Sequence, residues 1–189
     1  MTFIKKQSIL TSCKSKLHDL GFKYGTDKCW IHEDSKSYLV HYEEVMKNNR
    51  NNIRLLEIGV RDGSSLLTFN EYFNNSKIIG IDIDNNCNKL LDYNNIDVII
   101  GDATDEKILL NAQLNEQLDY IIDDGSHYAN DIIKCLDMYI PLLKIGGKYI
   151  IEDLDTSKRI SSESSYNNLE NKLKKYTINN YPRMVIIHI

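Results

Sequence analysis

Between residues 53 and 151 short apolar runs alternate with stretches of helical period, and no other feature restricts the fold of this chain as much. The runs at 53–58, 78–81, 97–100, 120–122 and 148–151 have the length of buried strands. Helical spacing between them places Leu66, Leu67 and Phe73 on one face, then Ile108, Leu109 and Ala112 from about Asp105, then Ile132, Ile133, Leu136 and Tyr139 up to Pro141. A proline ring inside a helix costs about 3 kcal/mol, so the third stretch has a physical stop. Strand and helix in this alternation predict an α/β fold with a Rossmann-like, doubly wound sheet. Segments 176–179 and 184–189, joined through Tyr181-Pro182-Arg183, predict a hairpin, so the sheet should be mostly parallel with a C-terminal antiparallel strand.

The rest of the chain frames that unit. Ile9, Leu10, Cys13, Leu17 and Leu20 predict a first helix, with Gly21 where a left-handed cap would end it. Residues 21–33, containing Tyr24-Gly25-Thr26-Asp27-Lys28 and His32, have no period and read as an ordered loop. A second helix starting near Asp34 or Ser35 would bury Tyr38, Leu39, Tyr42, Val45 and Met46. The Asn-rich link 48–52 divides this N-terminal helical and loop segment, 1–50, from the main unit, 51–189, within one domain. Residues 157–168 are polar and serine-rich and read as a mobile loop, with a short helix at 169–175. The turn 144–147 should lead into the fifth strand.

Composition sets the exclusions. A formal net charge of −4, with no long basic run, makes nucleic acid an unexpected partner. No apolar run approaches the ~20 residues that span a bilayer, so no membrane partner is expected either. Four widely spaced cysteines without a C-x-x-C pair fit a reducing cytoplasm. A homo-oligomer is left open.

Chemistry gathers at the strand ends, where open α/β sheets bind ligands. The fourth strand runs into Asp123, Asp124, Gly125, Ser126 and His127. The first turn, Glu57-Ile58-Gly59-Val60-Arg61-Asp62-Gly63, is glycine-bearing, with Ser64 or Ser65 to cap the next helix. It is not the G-x-G-x-x-G of a dinucleotide site, because Arg61 stands at the second glycine. Glu57 and Asp62 also bring negative charge where a pyrophosphate would lie, which suits a ligand with a cationic centre. Asp82, ending the second strand, is placed for ribose hydroxyls, and Asp102, ending the third, for an adenine amino group. Each acid alone is more often a solvated turn residue; five site positions at successive strand ends are harder to explain that way.

The series L-L-E-I-G-V-R-D-G-S-S, G-I-D-I-D, G-D-A, I-I-D-D-G-S-H and I-I-E-D-L resembles the class I S-adenosylmethionine-dependent methyltransferases. More closely, it resembles the metal-dependent sugar O-methyltransferases of the macrocin and mycinamicin type and the family named after cephalosporin hydroxylase. Tyr24-Gly25-Thr26-Asp27-Lys28 followed by His41-Tyr42-Glu43 extends the likeness toward the N-terminus. The resemblance implies S-adenosylmethionine held by Glu57, Gly59, Gly63, Ser64, Asp82, Asp102 and Asp123. It implies Mg2+ on Asp124, Glu152 and Asp153, with His127 as general base, and as acceptor a hydroxyl of a sugar or other glycosylated small molecule. A metal has physical work to do there. A hydroxyl with a pKa near ~15.7 facing a histidine near ~6.5 leaves a gap of about 9 pKa units, or about 12 kcal/mol. Two other readings stand beside this one: an NAD-dependent oxidoreductase, and a catalytically silent module that keeps the cofactor pocket. Residues 157–168 are shorter than the family's lid segments, and Trp30 belongs to the core or to a lid.

Overall fold

The computed structural model describes residues 15–31, 36–87, 93–111 and 117–189. One seven-stranded sheet carries β1 (Arg54–Ile58), β2 (Lys77–Asp82), β3 (Ile96–Ile100), β4 (Leu118–Asp123), β5 (Leu143–Ile151), β6 (Thr177–Asn180) and β7 (Val185–His188), in the order β3-β2-β1-β4-β5-β7-β6. The first five strands are parallel, and β7 runs antiparallel to both β5 and β6. The helices are α1 (Lys16–Tyr24), α2 (Tyr38–Met46), α3 (Ser64–Tyr72), α4 (Glu106–Asn111), α5 (Ala129–Tyr139), α6 (Leu154–Ile160) and α7 (Glu163–Leu173).

Side chains alternate across the sheet, and both faces are covered, which is why the strands read as unbroken apolar runs. Leu55, Ile78, Ile122 and Ile150 meet Leu17, Leu39, Tyr42 and Phe69 of α1, α2 and α3 on one face. Leu56, Ile79, Ile121 and Ile151 meet Ile132, Leu136, Leu169 and Leu173 of α5 and α7 on the other. Each such apolar side chain contributes about 1.5–3 kcal/mol by leaving water. The strand order reverses at β1, which has β2 on one side and β4 on the other. A crevice should therefore open beyond the carboxyl ends of these strands.

Several expectations are corrected. Gly21 lies inside α1, and the left-handed cap is Gly25, with φ 79°. A Cβ on Gly21 would lie 2.1 Å from Leu39 Cδ1, so the glycine serves the close approach of α1 and α2 and does not end a helix. The first part of the predicted helix, including Ile9, Leu10 and Cys13, lies outside the described residues, as do His32, Asp34, Ser35 and Ala112. Strand β5 begins at Leu143, so the predicted turn at 144–147 is taken up in a strand whose pairing with β4 shifts between Leu118 and Tyr120. Residues 157–168 are no loop; apart from Ser161 and Ser162 they belong to α6 and α7. Their apolar content is sparse, but the i, i+4 pair Leu169 and Leu173 is buried among residues of α5, and the Ser162 side chain caps α7 by accepting from Ser165 N. Trp30 is exposed.

Candidate active site

The turn after β1 is pressed against the turn after β4. Gly59 has φ 86°, and a Cβ there would lie 2.1 Å from the Asp124 carbonyl oxygen, so only glycine permits the approach. Asp124 N donates to Ile58 O at 2.9 Å across the same junction. Asp82 fixes the turn from the β2 side: its Oδ2 accepts from Val60 N at 2.7 Å and Arg61 N at 2.8 Å, and its Oδ1 from Asp84 N at 2.8 Å. Asp102 Oδ1 accepts from the backbone and hydroxyl of Thr104, each at 2.8 Å. Helix α3 has no serine cap. Gly63 occupies the cap position at φ 84°, Asp62 Oδ1 accepts from Ser64 N at 3.0 Å, and Ser65 Oγ donates to Glu57 Oε2 at 2.5 Å.

These turns enclose a crevice of about 540 Å3, lined by Gly59, Asp82, Asp102, Asp123, Asp124, His127 and Asp153 among others. Glu57, Gly63, Ser64 and Glu152 are not on its wall. Glu57 is fully buried beneath the turn, and burial outweighs its partners Lys28 and Ser65 to push its carboxyl up to about 7. Asp123 is also buried and accepts from Tyr149 OH at 3.0 Å; burial raises its carboxyl to about 7 as well.

Beyond β4 and β5, Asp124, His127 and Asp153 bring one potential ligand atom each within 4.8 Å of one another. His127 Nε2 lies 3.9 Å from Asp124 Oδ1 and 4.0 Å from Asp153 Oδ2. The remaining carboxylate oxygens are held elsewhere. Lys28 Nζ donates to Asp124 Oδ2 at 2.5 Å. Tyr38 OH, at 2.6 Å, and Arg183 Nη2, at 2.7 Å, hold Asp153 Oδ1. Each acid is thus anchored by one oxygen and presents the other toward the imidazole. His127 (φ 61°) and Asp153 (φ 51°) are both left-handed non-glycine residues, a conformation that costs of order 1–3 kcal/mol and gathers at functional sites. Glu152 is not one of these three and does not line the crevice. It is 2% exposed, accepts from Tyr42 OH, and lies 2.7 Å from Lys28 Nζ; burial, and next Asp124, raise its pKa well above the carboxylate range.

Sequence reasoning placed Lys28 in a notable string but missed what it does. The ammonium is 3% exposed and stands 2.5 Å from Asp124, 2.7 Å from Glu152 and 3.3 Å from Glu57. Burial opposes its charge, and the three carboxylates overcome that and hold its pKa above the usual lysine value. Tyr38 and Tyr42 were expected as core; they are buried, but their hydroxyls serve Asp153 and Glu152. Buried acids need buried cations or donors, and that rule is the one signal that points to Lys28 and Arg183.

The donor set suits a divalent cation. One oxygen of Asp124 and one of Asp153 face each other at the edge of the crevice as hard ligands, with the His127 imidazole beside them.

No family model matches the chain. Demethylmacrocin O-methyltransferase of Streptomyces fradiae is 31% identical over 157 residues, which are 78% of this chain and 38% of that protein. Mycinamicin VI 2''-O-methyltransferase of Micromonospora griseorubida is 30% identical over 164 residues, 80% of this chain and 40% of that protein. A rhamnosyl tetracenomycin-C 2'-O-methyltransferase of Streptomyces olivaceus is 27% identical over 158 residues, 79% and 40%. The chain spans about two fifths of the length of these relatives. Among solved structures, the MycE methyltransferase of the mycinamycin pathway, in complex with Mg and SAH, superposes with a TM-score of 0.78 at 24% identity, covering 91% of this chain and 54% of that one. That likeness shows the fold.

Proposed function

The chain has the class I methyltransferase fold and is a homologue of the macrocin- and mycinamicin-type sugar O-methyltransferases, and from that premise we propose that it transfers the methyl group of S-adenosylmethionine to a hydroxyl of a glycosylated small molecule. One observation carries the reading: the Asp124–His127–Asp153 group opens into the same crevice as the Gly59 turn, Asp82 and Asp102. Cofactor and acceptor chemistry would therefore meet in one space. Seven aspartates line that space, against Arg61 and His127 as its basic residues, a balance that favours a sulfonium and a divalent ion over the pyrophosphate of NAD. A sugar hydroxyl as acceptor is supported by the rhamnosyl 2'-O specificity in the name of one relative. Four widely spaced cysteines without a C-x-x-C pair support a cytoplasmic setting.

In this reading Asp82 and Asp102 hold the nucleoside, and Gly59 lets the main chain come close to it. Asp124, Glu152 and Asp153 would hold Mg2+, which would lower the pKa of an acceptor hydroxyl and orient it. Asp124 and Asp153 each have one oxygen presented to the crevice, whereas Glu152 is buried off the crevice wall with its Oε1 shared by Lys28 and Tyr42, so its share in holding the ion rests on the likeness to the relatives. His127 Nε2 takes the proton as the acceptor oxygen attacks the methyl carbon; the C–O bond forms, the C–S bond breaks, and the sulfonium leaves as a neutral thioether.

Titration calorimetry with S-adenosylhomocysteine and NAD, followed by turnover with and without chelator, tests the reading. S-adenosylhomocysteine should bind and NAD should not. His127→Ala should keep that binding and lower the rate by about 10²–10⁴. NAD binding without S-adenosylhomocysteine binding, or full activity in excess chelator, would sink it.

A further inference from the structure

Asp124 and Asp153 each face His127 with one oxygen, because the other is taken, and what takes it is itself held in place. Lys28 Nζ donates to Asp124 Oδ2 at 2.5 Å and stands 2.7 Å from Glu152 and 3.3 Å from Glu57, so the buried ammonium is fixed by acids from three strand ends. Asp153 Oδ1 accepts from Tyr38 OH at 2.6 Å and lies 2.7 Å from Arg183 Nη2. Arg183 is braced in turn from outside the group. Its Nε donates to Asp155 Oδ1 at 3.0 Å, and its guanidinium lies 6.0 Å from the centroid of the buried Tyr38 ring. The oxygens that face His127 Nε2, at 3.9 and 4.0 Å, are Asp124 Oδ1 and Asp153 Oδ2.

A carboxylate can grip a cation with one oxygen or with both, and hard cations differ in which they use. Ca2+ takes about 6–8 oxygens and is often served by both oxygens of a carboxylate, whereas Mg2+ keeps several waters in an octahedral shell and takes one or two carboxylates. We propose that Lys28, Tyr38 and Arg183 are ion-selecting residues: by holding Asp124 Oδ2 and Asp153 Oδ1 they keep both acids to one oxygen each and turn the group toward Mg2+ and away from Ca2+. An ion gripping Asp124 with both oxygens would share Oδ2 with an ammonium, and one gripping Asp153 with both would share Oδ1 with a guanidinium. Like charges would then meet on one atom. An ion on the outer oxygen of each acid avoids that contact. Acids without these anchors could rotate to give both oxygens, which is the flexibility that favours the larger ion.

The selection rests on the metal reading above, and its test separates the two. MgCl2 and CaCl2 are titrated by calorimetry into the full chain after treatment with chelator and dialysis, and the ratio of the two dissociation constants is the readout. Removing a positive charge strengthens both ions together and cancels in that ratio. The wild-type chain should bind Mg2+ at least as tightly as Ca2+. The double variant Tyr38→Phe/Arg183→Gln, which releases Asp153 Oδ1, should shift the ratio toward Ca2+ by about 10-fold. Lys28→Gln should shift it in the same direction through Asp124. The two variants act on different acids, so either one that folds carries the test. A ratio that stays within about 2-fold of the wild-type value while both affinities change would mean that the three residues supply charge and no selection. A wild-type preference for Ca2+ would mean that the anchors do not exclude it; either result overturns the proposal. If the wild-type chain binds neither ion, the metal reading falls and the selection falls with it.

Discussion

At the ends of β2 and β3, Asp82 and Asp102 are satisfied mainly by backbone amides: Val60, Arg61 and Asp84 for one, Thr104 for the other. At the ends of β4 and β5 the acids are satisfied by side chains far away in the sequence. Lys28 reaches Asp124 over 96 residues, Tyr42 reaches Glu152 over 110, and Tyr38 reaches Asp153 over 115. Amides belong to the fold and cannot be lost without it. Side-chain donors can be removed one at a time, and each removal strands a buried or half-buried partner. The β2–β3 half should therefore behave as a rigid cradle and the β4–β5 half as an assembly that fails when a single member is taken out.

Lys28→Met puts the largest strain on this contrast. It leaves Glu57 and Glu152 buried without their cation, and breaking a buried pair from one side costs about 3–5 kcal/mol. Urea denaturation should show a loss of that size, with Lys28→Arg retaining part of the stability. A loss under 1 kcal/mol would mean that the acids simply protonate and that the assembly does not depend on its cation.

Asp82→Ala sharpens the comparison on the other half. S-adenosylhomocysteine binding should weaken by about 1.5–3 kcal/mol, the scale of a lost hydrogen bond to a charged group. Asp153→Ala should leave that affinity near the wild-type value while abolishing Mg2+-dependent turnover. If both variants lose cofactor affinity equally, the two halves are one site and the division is wrong.

The same contrast explains what could be read from the sequence. Strands and their acidic ends are local patterns, so the parallel sheet, the terminal hairpin and the D-D-G-S-H turn were legible. Gly21 was misread because its reason is Leu39 of another helix, and the helices at 154–173 because two leucines of α7 packed against α5 outweigh a polar composition. Lys28 is the clearest case. Nothing in Tyr24-Gly25-Thr26-Asp27-Lys28 says that its lysine is buried among three carboxylates from β1, β4 and β5.

The smallest expected effect concerns Asp123, which belongs to the buried half although it lines the crevice. Burial raises its carboxyl to about 7, more than Tyr149 and the Gly125 amide pull it down. In the unfolded chain an aspartate releases its proton near ~3.9. Between these values the folded chain binds the extra proton, so this group's contribution to stability is fully present below about pH 4 and is lost as pH rises through about 7. Glu57, raised to about 7 by burial, acts with the same sign. Asp123→Asn keeps the neutral form at every pH and should remove its share, about 1 kcal/mol of relative gain over the wild-type chain between pH 6 and pH 8. Denaturation in urea at both pH values, in chelator, measures it. If the two proteins' stabilities run parallel with pH, Asp123 is ionised in the folded chain, and the boundary between the amide-held and the buried acids must be drawn after it.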